Sequence, residues 1–299
     1  MEEDIKKRLI LLMQETGASQ NRVAKALGKS SSALSQWLSG TYKGDNDAMK
    51  ARVEDYLAAA AERDGSANSL EELGVVETRC YTAVSKFCKL VSKNRMMGLL
   101  TGDAGVGKTT ALRDYARKHP TSILIEADMG YTPRVFFEEL CSRLNVSAPN
   151  TTHAKFAQTV DRLKSSDRLL MIDEAEHLPY GTLEYVRRIH DKTGIGIILC
   201  GLPRLEKNIK GYKESYLQLS SRIQLVTRLK HLTEEDVEAY LESRFEKYDS
   251  ECVSTLMDFS NKNCRIMANL CKLSTESMSH KSISKLSKEV LDIARKLST

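Results

Sequence analysis

Four short apolar runs interrupt an otherwise amphipathic chain: Met96 to Leu100, Ser122 to Ala127, Leu169 to Ile172 and Gly196 to Gly201. Continuous apolar runs of this length suit strands buried on both faces of a parallel sheet. Between and after them, apolar residues recur at helical spacing around Val135–Leu144, Ala154–Lys164 and Leu183–His190. Strand and helix patterns therefore alternate across residues 75–228, which predicts an α/β core with helices on both faces and right-handed crossovers. Residues 229–299 read as helices alone, beginning at the capped, acid-rich start Thr233-Glu234-Glu235-Asp236.

Residues 1–63 carry a helix-only pattern and predict a small all-α domain. Ile5, Leu9, Leu12 and Met13 share one helix face, which Gly17 ends. Ser19 is placed to cap a second helix with inner face Val23, Ala24 and Leu27. Gly28-Lys29 makes a turn, Ser30 caps a third helix bearing Ala33, Leu34, Trp37 and Leu38, and Gly40 stops it. A further helix, Ala48 to Glu62, closes the unit. Helix, glycine turn, helix is the outline of a helix-turn-helix. It resembles the lambda-repressor/Cro-like class through Gln20-x-x-Val23-Ala24-x-x-Leu27-Gly28 and Leu34-Ser35-x-Trp37-Leu38-x-Gly40. That resemblance implies that Ser31, Ser32, Ser35 and Gln36 face DNA. Residues 64–74, opening Asp64-Gly65-Ser66-Ala67-Asn68-Ser69, read as a linker.

Composition narrows the class. With 299 residues, 41% hydrophobic and 28% charged, the chain fits a globular protein of about two domains. No run approaches the length of a membrane span, and Met-Glu-Glu-Asp is the wrong sign for a signal peptide. A reducing cytoplasm is the expected location, with no membrane partner. The seven cysteines include no C-x-x-C pair and read as small buried hydrophobes, and the six histidines lack metal-ligand spacing. His177, near Asp173, is assigned a loop or hydrogen-bonding role. The net charge of +5 permits nucleic-acid binding without requiring it. Its distribution says more. Residues 260–299 hold eight Lys/Arg against three acids, and Lys207, Lys210 and Lys213 form a second cluster.

The chemistry lies in two places. Gly102, Asp103, Ala104, Gly105, Val106, Gly107, Lys108 and Thr109 complete a G-x-x-x-x-G-K-[ST] phosphate loop, and Thr110 opens the helix that follows. Strand, loop and helix in that order make a nucleotide site, because glycines let backbone N–H groups face phosphate and the helix N-terminus adds its dipole. Lys108 is expected on the β- and γ-phosphates, with Thr109 on Mg²⁺. The strand ending in Asp173-Glu174 puts two carboxylates at a C-terminal sheet edge, where open α/β sheets bind ligands. Asp173 is expected to hold Mg²⁺, directly or through water, and Glu174 to polarise the attacking water.

A phosphate loop, an Asp-Glu strand, a further strand, an arginine and a helical end form a layout that resembles the AAA+ ATPases. The resemblance implies that Arg222, in Ser220-Ser221-Arg222-Ile223, is an arginine finger for a neighbouring subunit. It likewise implies that Arg265, in Asn263-Cys264-Arg265-Ile266-Met267, is the lid arginine over the nucleotide. The family's polar sensor at the end of the next strand has no counterpart, since Leu202 follows Cys200-Gly201. Together with Leu38 to Asn46 and Leu219 to Ile223, the arrangement is similar to one branch of the family, the phage Mu B-type transposition ATPases. Membership implies ATP-dependent helical filaments on double-stranded DNA, delivery of target DNA to a transposase, stimulated strand transfer, target immunity and partner-stimulated hydrolysis. Under that reading Lys207, Lys210 and Lys213 are the first candidates for DNA phosphate contacts, and the loop residues Tyr131 and Arg134 are further ones. Rival readings are a helicase loader, a secretion-type AAA+ regulator, and an ATP-binding helix-turn-helix transcription regulator.

Overall fold

The computed structural model describes residues 2–16, 23–24, 27–42, 44–57, 75–147, 149–164, 166–210, 216–281 and 283–298. The chain divides into two compact units, Met1–Gly74 and Val75–Thr299.

In the first unit, α1 (Glu2–Thr16), α2 (Ser31–Leu38) and a helix at 46–57, α3, are described. The Ser30 hydroxyl accepts from the Ala33 amide at 3.2 Å, so α2 starts where a serine can satisfy its free N–H groups. Ile5, Leu9, Val23, Ala24, Leu27, Leu34, Trp37, Met49, Val53 and Leu57 bury one core. Gly17, Ser19, Gln20 and the linker lie outside the described residues, as does the expected helix beyond Leu57.

The second unit is built on five parallel strands: β1 (Met97–Thr101), β2 (Ser122–Glu126), β3 (Leu169–Asp173), β4 (Gly196–Gly201) and β5 (Ile223–Arg228). Their order across the sheet is β2-β3-β4-β1-β5. The connecting helices are α4 (Arg79–Asn94) before β1, α5 (Lys108–Lys118), α6 (Pro133–Arg143), α7 (Thr152–Leu163), α8 (Tyr180–Thr193), α9 (Pro203–Lys210) and the short α10 (Leu217–Ser220).

The two-residue period of a strand sorts the core into layers. Leu99, Leu170, Ile172, Ile197 and Leu199 face α6, α7 and α8, where Phe136, Phe137 and Val186 pack. Leu100, Leu169, Met171, Ile198 and Cys200 face α4 and α5, against Val84, Phe87, Val91 and Leu112. All residues of β1, β3 and β4 are buried, which is why they read as unbroken apolar runs. Gly98 is required by packing, because a Cβ there would meet Phe87 and Val91 at 2.7 and 2.8 Å.

β5 was not anticipated as a strand. It lies at the sheet edge beside β1, is only half-buried, and alternates with Gln224, Thr227 and Arg228. Beyond it, α11 (Glu234–Arg244), α12 (Glu251–Ser260), α13 (Cys264–Lys281) and α14 (Lys288–Leu297) enclose a separate core. Val237, Leu241, Leu256, Met267, Leu270 and Leu291 fill it. Thr233 and Asp236 cap α11 reciprocally, as its sequence implies. All seven cysteines are free, and six are buried. Among the described residues no helix is long and apolar enough to cross a membrane.

Candidate nucleotide site

The C-terminal ends of β1, β3 and β4 meet at one sheet edge. Thr101 of β1 stands beside Gly201 of β4, and the Gly102 amide donates to the Gly201 carbonyl at 3.3 Å. The phosphate loop leaves β1 there and turns into α5. Gly105 and Gly107 hold φ of 78° and 97°, a backbone region open to glycine. Lys108 is the first residue of α5 and is buried. Its Nζ donates to the carbonyls of Gly102 and Asp103 at 2.7 and 2.8 Å, which holds the ammonium inside its own loop. Phosphate oxygens are stronger acceptors for an ammonium than these carbonyls, so the loop is preorganised for an anion.

Thr109 and Asp173 meet across the edge. The Thr109 hydroxyl donates to Asp173 Oδ2 at 2.5 Å, although 64 residues separate them. Asp173 is 1% exposed, and its Oδ1 accepts from the Glu174 amide at 2.9 Å. A hydroxyl and a buried carboxylate in contact form an all-oxygen donor set suited to a hard divalent ion, so the residues fit Mg²⁺ bound with a nucleotide. Glu174 has left-handed backbone, φ 53°, and an exposed side chain with His177 Nε2 3.4 Å from its Oε2. His177 thus contacts a carboxylate. Strain at a non-glycine residue concentrates at functional positions. Thr110 lies exposed in the first turn of α5.

The helical C-terminal end closes on the loop through Arg265 and through residues that the sequence pattern does not mark. Asn263 Nδ2 donates to the Ala104 carbonyl at 2.9 Å, while Asn263 Oδ1 accepts from the amides of Arg265 and Ile266 at 3.0 and 3.3 Å. One side chain therefore caps α13 and clamps the phosphate loop. The Arg265 amide donates to the Gly105 carbonyl at 3.2 Å, which sets Arg265 beside the loop with an exposed side chain. His231 Nε2 lies 3.0 Å from Asp103 Oδ2. Glu176 is fully buried beneath the turn, where its Oε1 accepts from the Leu202 amide at 3.1 Å. Its other oxygen fills the space of a side chain at Gly201. The end of β4 lacks a polar side chain because a carboxylate from the next turn occupies that place. An asparagine at a helix start was a legible capping signal, but a second acid two residues past Glu174 gave none.

Arg222 is placed elsewhere. It precedes β5, whose first residue pairs with Met97, so it lies at the opposite sheet edge from the phosphate loop. Six strand residues, roughly 20 Å, separate the two levels. Arg222 cannot reach the nucleotide site of its own chain. Lys207 and Lys210 are exposed on α9. Lys210 bonds Glu206 at 2.8 Å, and Glu206 also binds Arg228. Lys213 lies outside the described residues. Tyr131 requires correction: it is 7% exposed, packs in the main core and donates its hydroxyl to Glu139, so it offers no surface for DNA. Arg134 is exposed and bonds Glu138 at 3.0 Å. On α2 of the first unit, Ser32, Ser35 and Gln36 are exposed and Ser31 is half-buried.

Comparison with known proteins fits this geometry. The AAA domain family matches residues 91–209, from the end of α4 through α9. The Mu-like prophage FluMu DNA transposition protein B of Haemophilus influenzae is 25% identical over 253 residues, covering 83% of this chain and 88% of that protein. The ATP-dependent target DNA activator B of Escherichia phage Mu is 27% identical, covering 79% of this chain and 76% of that one. These similarities support an AAA-domain ATPase resembling the Mu B transposition proteins. Among solved structures, the Aeropyrum pernix ORC1 protein in complex with DNA shares the fold, with a TM-score of 0.59 at 17% identity over 76% of this chain and 67% of that one. The AAA-domain match spans the phosphate loop and the Asp173 strand described here. The sheet order and the lid on the phosphate loop are thereby accounted for.

Proposed function

We propose that this ATPase uses ATP to assemble on double-stranded DNA, as a helical homo-oligomer, and to present that DNA as a target to a transposase. The observation that supports the reading is the separation of Arg222 from the residues of the nucleotide loop. Lys108, Thr109, Asp173 and Glu174 gather at one sheet edge, while Arg222 stands at the other. A centre divided in this way is completed when a second protomer brings its Arg222 to the first protomer's γ-phosphate. ATP then sits at the interface, and its binding energy becomes assembly energy. A head-to-tail contact that does not close generates a helix rather than a ring. The kinship with phage target DNA activators supports DNA as the track and transposition as the setting.

Thr109 and Asp173 would hold Mg²⁺, which would supply positive charge against developing phosphate charge. Lys108 binds the β- and γ-phosphates, Glu174 accepts the proton of the attacking water, and Arg265 reaches the nucleotide from the lid. The DNA is contacted through phosphates by Lys207 and the neighbouring basic residues, many protomers sharing one duplex so that each needs few contacts. The helix-turn-helix, through Ser31, Ser32, Ser35 and Gln36, supplies a second DNA surface. Footprinting tests the reading directly. Uniform, ATP-dependent coverage of an arbitrary duplex is expected; protection of one short palindrome would point instead to a transcription regulator.

A further inference from the structure

The C-terminal end of α8 carries a charge cluster that the nucleotide site does not use. Arg187 is almost buried, its side chain 11% exposed. Its Nε and Nη2 donate to the two oxygens of Glu184 at 2.9 and 2.5 Å, and its Nη1 donates to Asp191 Oδ2. The second oxygen of Asp191 accepts from Arg222 Nε at 2.8 Å. One carboxylate therefore joins two arginines. The first is fixed along α8 and the second stands in the turn before β5.

The edge of the guanidinium that Asp191 holds decides what the contact does. Nε is the inner donor of an arginine. A partner there restrains the side chain while the outer Nη2 stays available, and the Arg222 side chain remains 47% exposed. Nη1 touches only the neighbouring Ser221 hydroxyl, at 3.4 Å. An arginine so held has lost rotamer freedom before it meets an anion, which is the condition for a preorganised electrostatic contact. Asp191 is itself fixed by Arg187, and Arg187 by Glu184, so the restraint is anchored in the helix. That helix begins at Tyr180, three residues past His177, the end of the turn that carries Glu174. Fourteen helical residues cover roughly 20 Å, the distance between the two sheet edges.

We infer that Asp191 is a positioning residue for Arg222, holding Nε so that the Nη edge is offered to the γ-phosphate of the neighbouring protomer. This rests on the reading of Arg222 as an arginine that acts in trans.

The test compares Asp191→Ala, Asp191→Asn and Arg222→Ala in the full chain assembled on duplex DNA. Turnover, binding of a fluorescent ATP analogue and thermal melting are followed together. Asp191→Ala is expected to lower kcat by on the order of tenfold to 100-fold with KM and analogue affinity unchanged. Asp191→Asn, which has one acceptor oxygen for two arginines, is expected to recover only part of the loss. Mixing supplies a readout that a purely structural role would not move. Asp191→Ala protomers mixed with Glu174→Gln protomers should regain turnover, because intact sites then meet intact arginines; mixing them with Arg222→Ala protomers should not. Wild-type or raised turnover in Asp191→Ala, with Arg222→Ala inactive, overturns the inference and leaves the trans reading standing. A loss that the Glu174→Gln mixture does not restore also overturns it. Full turnover in Arg222→Ala removes the trans reading and this inference with it.

Discussion

In the proposed mechanism Glu174 and Lys108 separate chemistry from binding. Glu174 holds left-handed backbone at φ 53° and touches His177, whereas Lys108 is enclosed by the carbonyls of its own loop. Lys108→Ala should abolish ATP binding in a calorimetric titration. Glu174→Gln should bind ATP as the parent does while phosphate release stops, leaving long-lived DNA complexes; normal phosphate release from that variant would take the base role away from Glu174. Gly105 marks where the lid rests, since at φ 78° any Cβ would collide with the Asn263 side chain. Gly105→Ala should therefore loosen α13 from the loop and weaken ATP binding, beyond the roughly 1–2 kcal/mol of backbone strain itself. Asp114, buried on α5, behaves differently. Burial opposes its ionisation, but hydrogen bonds from Arg117, Lys118 and Tyr81 outweigh it and hold the carboxyl at about 2. A carboxyl depressed on folding stabilises the protein above its unfolded value, near 4, and loses that contribution as pH falls. The melting-temperature difference between the parent and Asp114→Asn should be full above about pH 4 and shrink toward pH 2; a gap that does not change with pH would contradict this assignment.

Among the elements, legibility followed burial. β1, β3 and β4 are covered on both faces, so their sequences are continuous apolar runs with nothing to dilute the signal. β5 is an edge strand whose Gln224, Thr227 and Arg228 face less apolar surroundings, and periodicity alone did not separate it from a loop. The site divided in the same way. Gly102 to Thr109 and Asp173-Glu174 are contiguous in the chain and could be read as they stand. Asn263 acts on Ala104 across 159 residues and Asp191 on Arg222 across 31, contacts that exist only once the sheet has formed. Tyr131 shows the converse, because its place in a loop of the sequence suggests surface while its ring completes the core. On α9 the charges are unequal: Lys210 is compensated by Glu206, and Lys207 is the exposed cation without an ion pair among the described residues. Lys207→Ala should lower the slope of log affinity against log salt by about one, whereas a DNA contact through bases alone would leave it unchanged. Burial also pushes the Cys88 and Cys271 thiols up to about 12, so the native protein should react slowly with thiol reagents near neutral pH.

For the whole molecule, the account depends on ATP acting between protomers. The unit Val75–Thr299 holds one complete set of loop, carboxylates and lid. Its Arg222 stands at the far edge of the sheet, and the proposed function has it serve another copy. Affinity for DNA in such an assembly is shared, so binding should be steep in protein concentration and should fall with salt at a log–log slope of about −0.9 per phosphate contacted. The most direct test is electron microscopy of the purified protein with long duplex DNA and a slowly hydrolysed ATP analogue. The account predicts continuous helical filaments that need both ligands and are lost in Lys108→Ala. Protein that stays monomeric with both ligands present would contradict it, even if that protein still hydrolysed ATP.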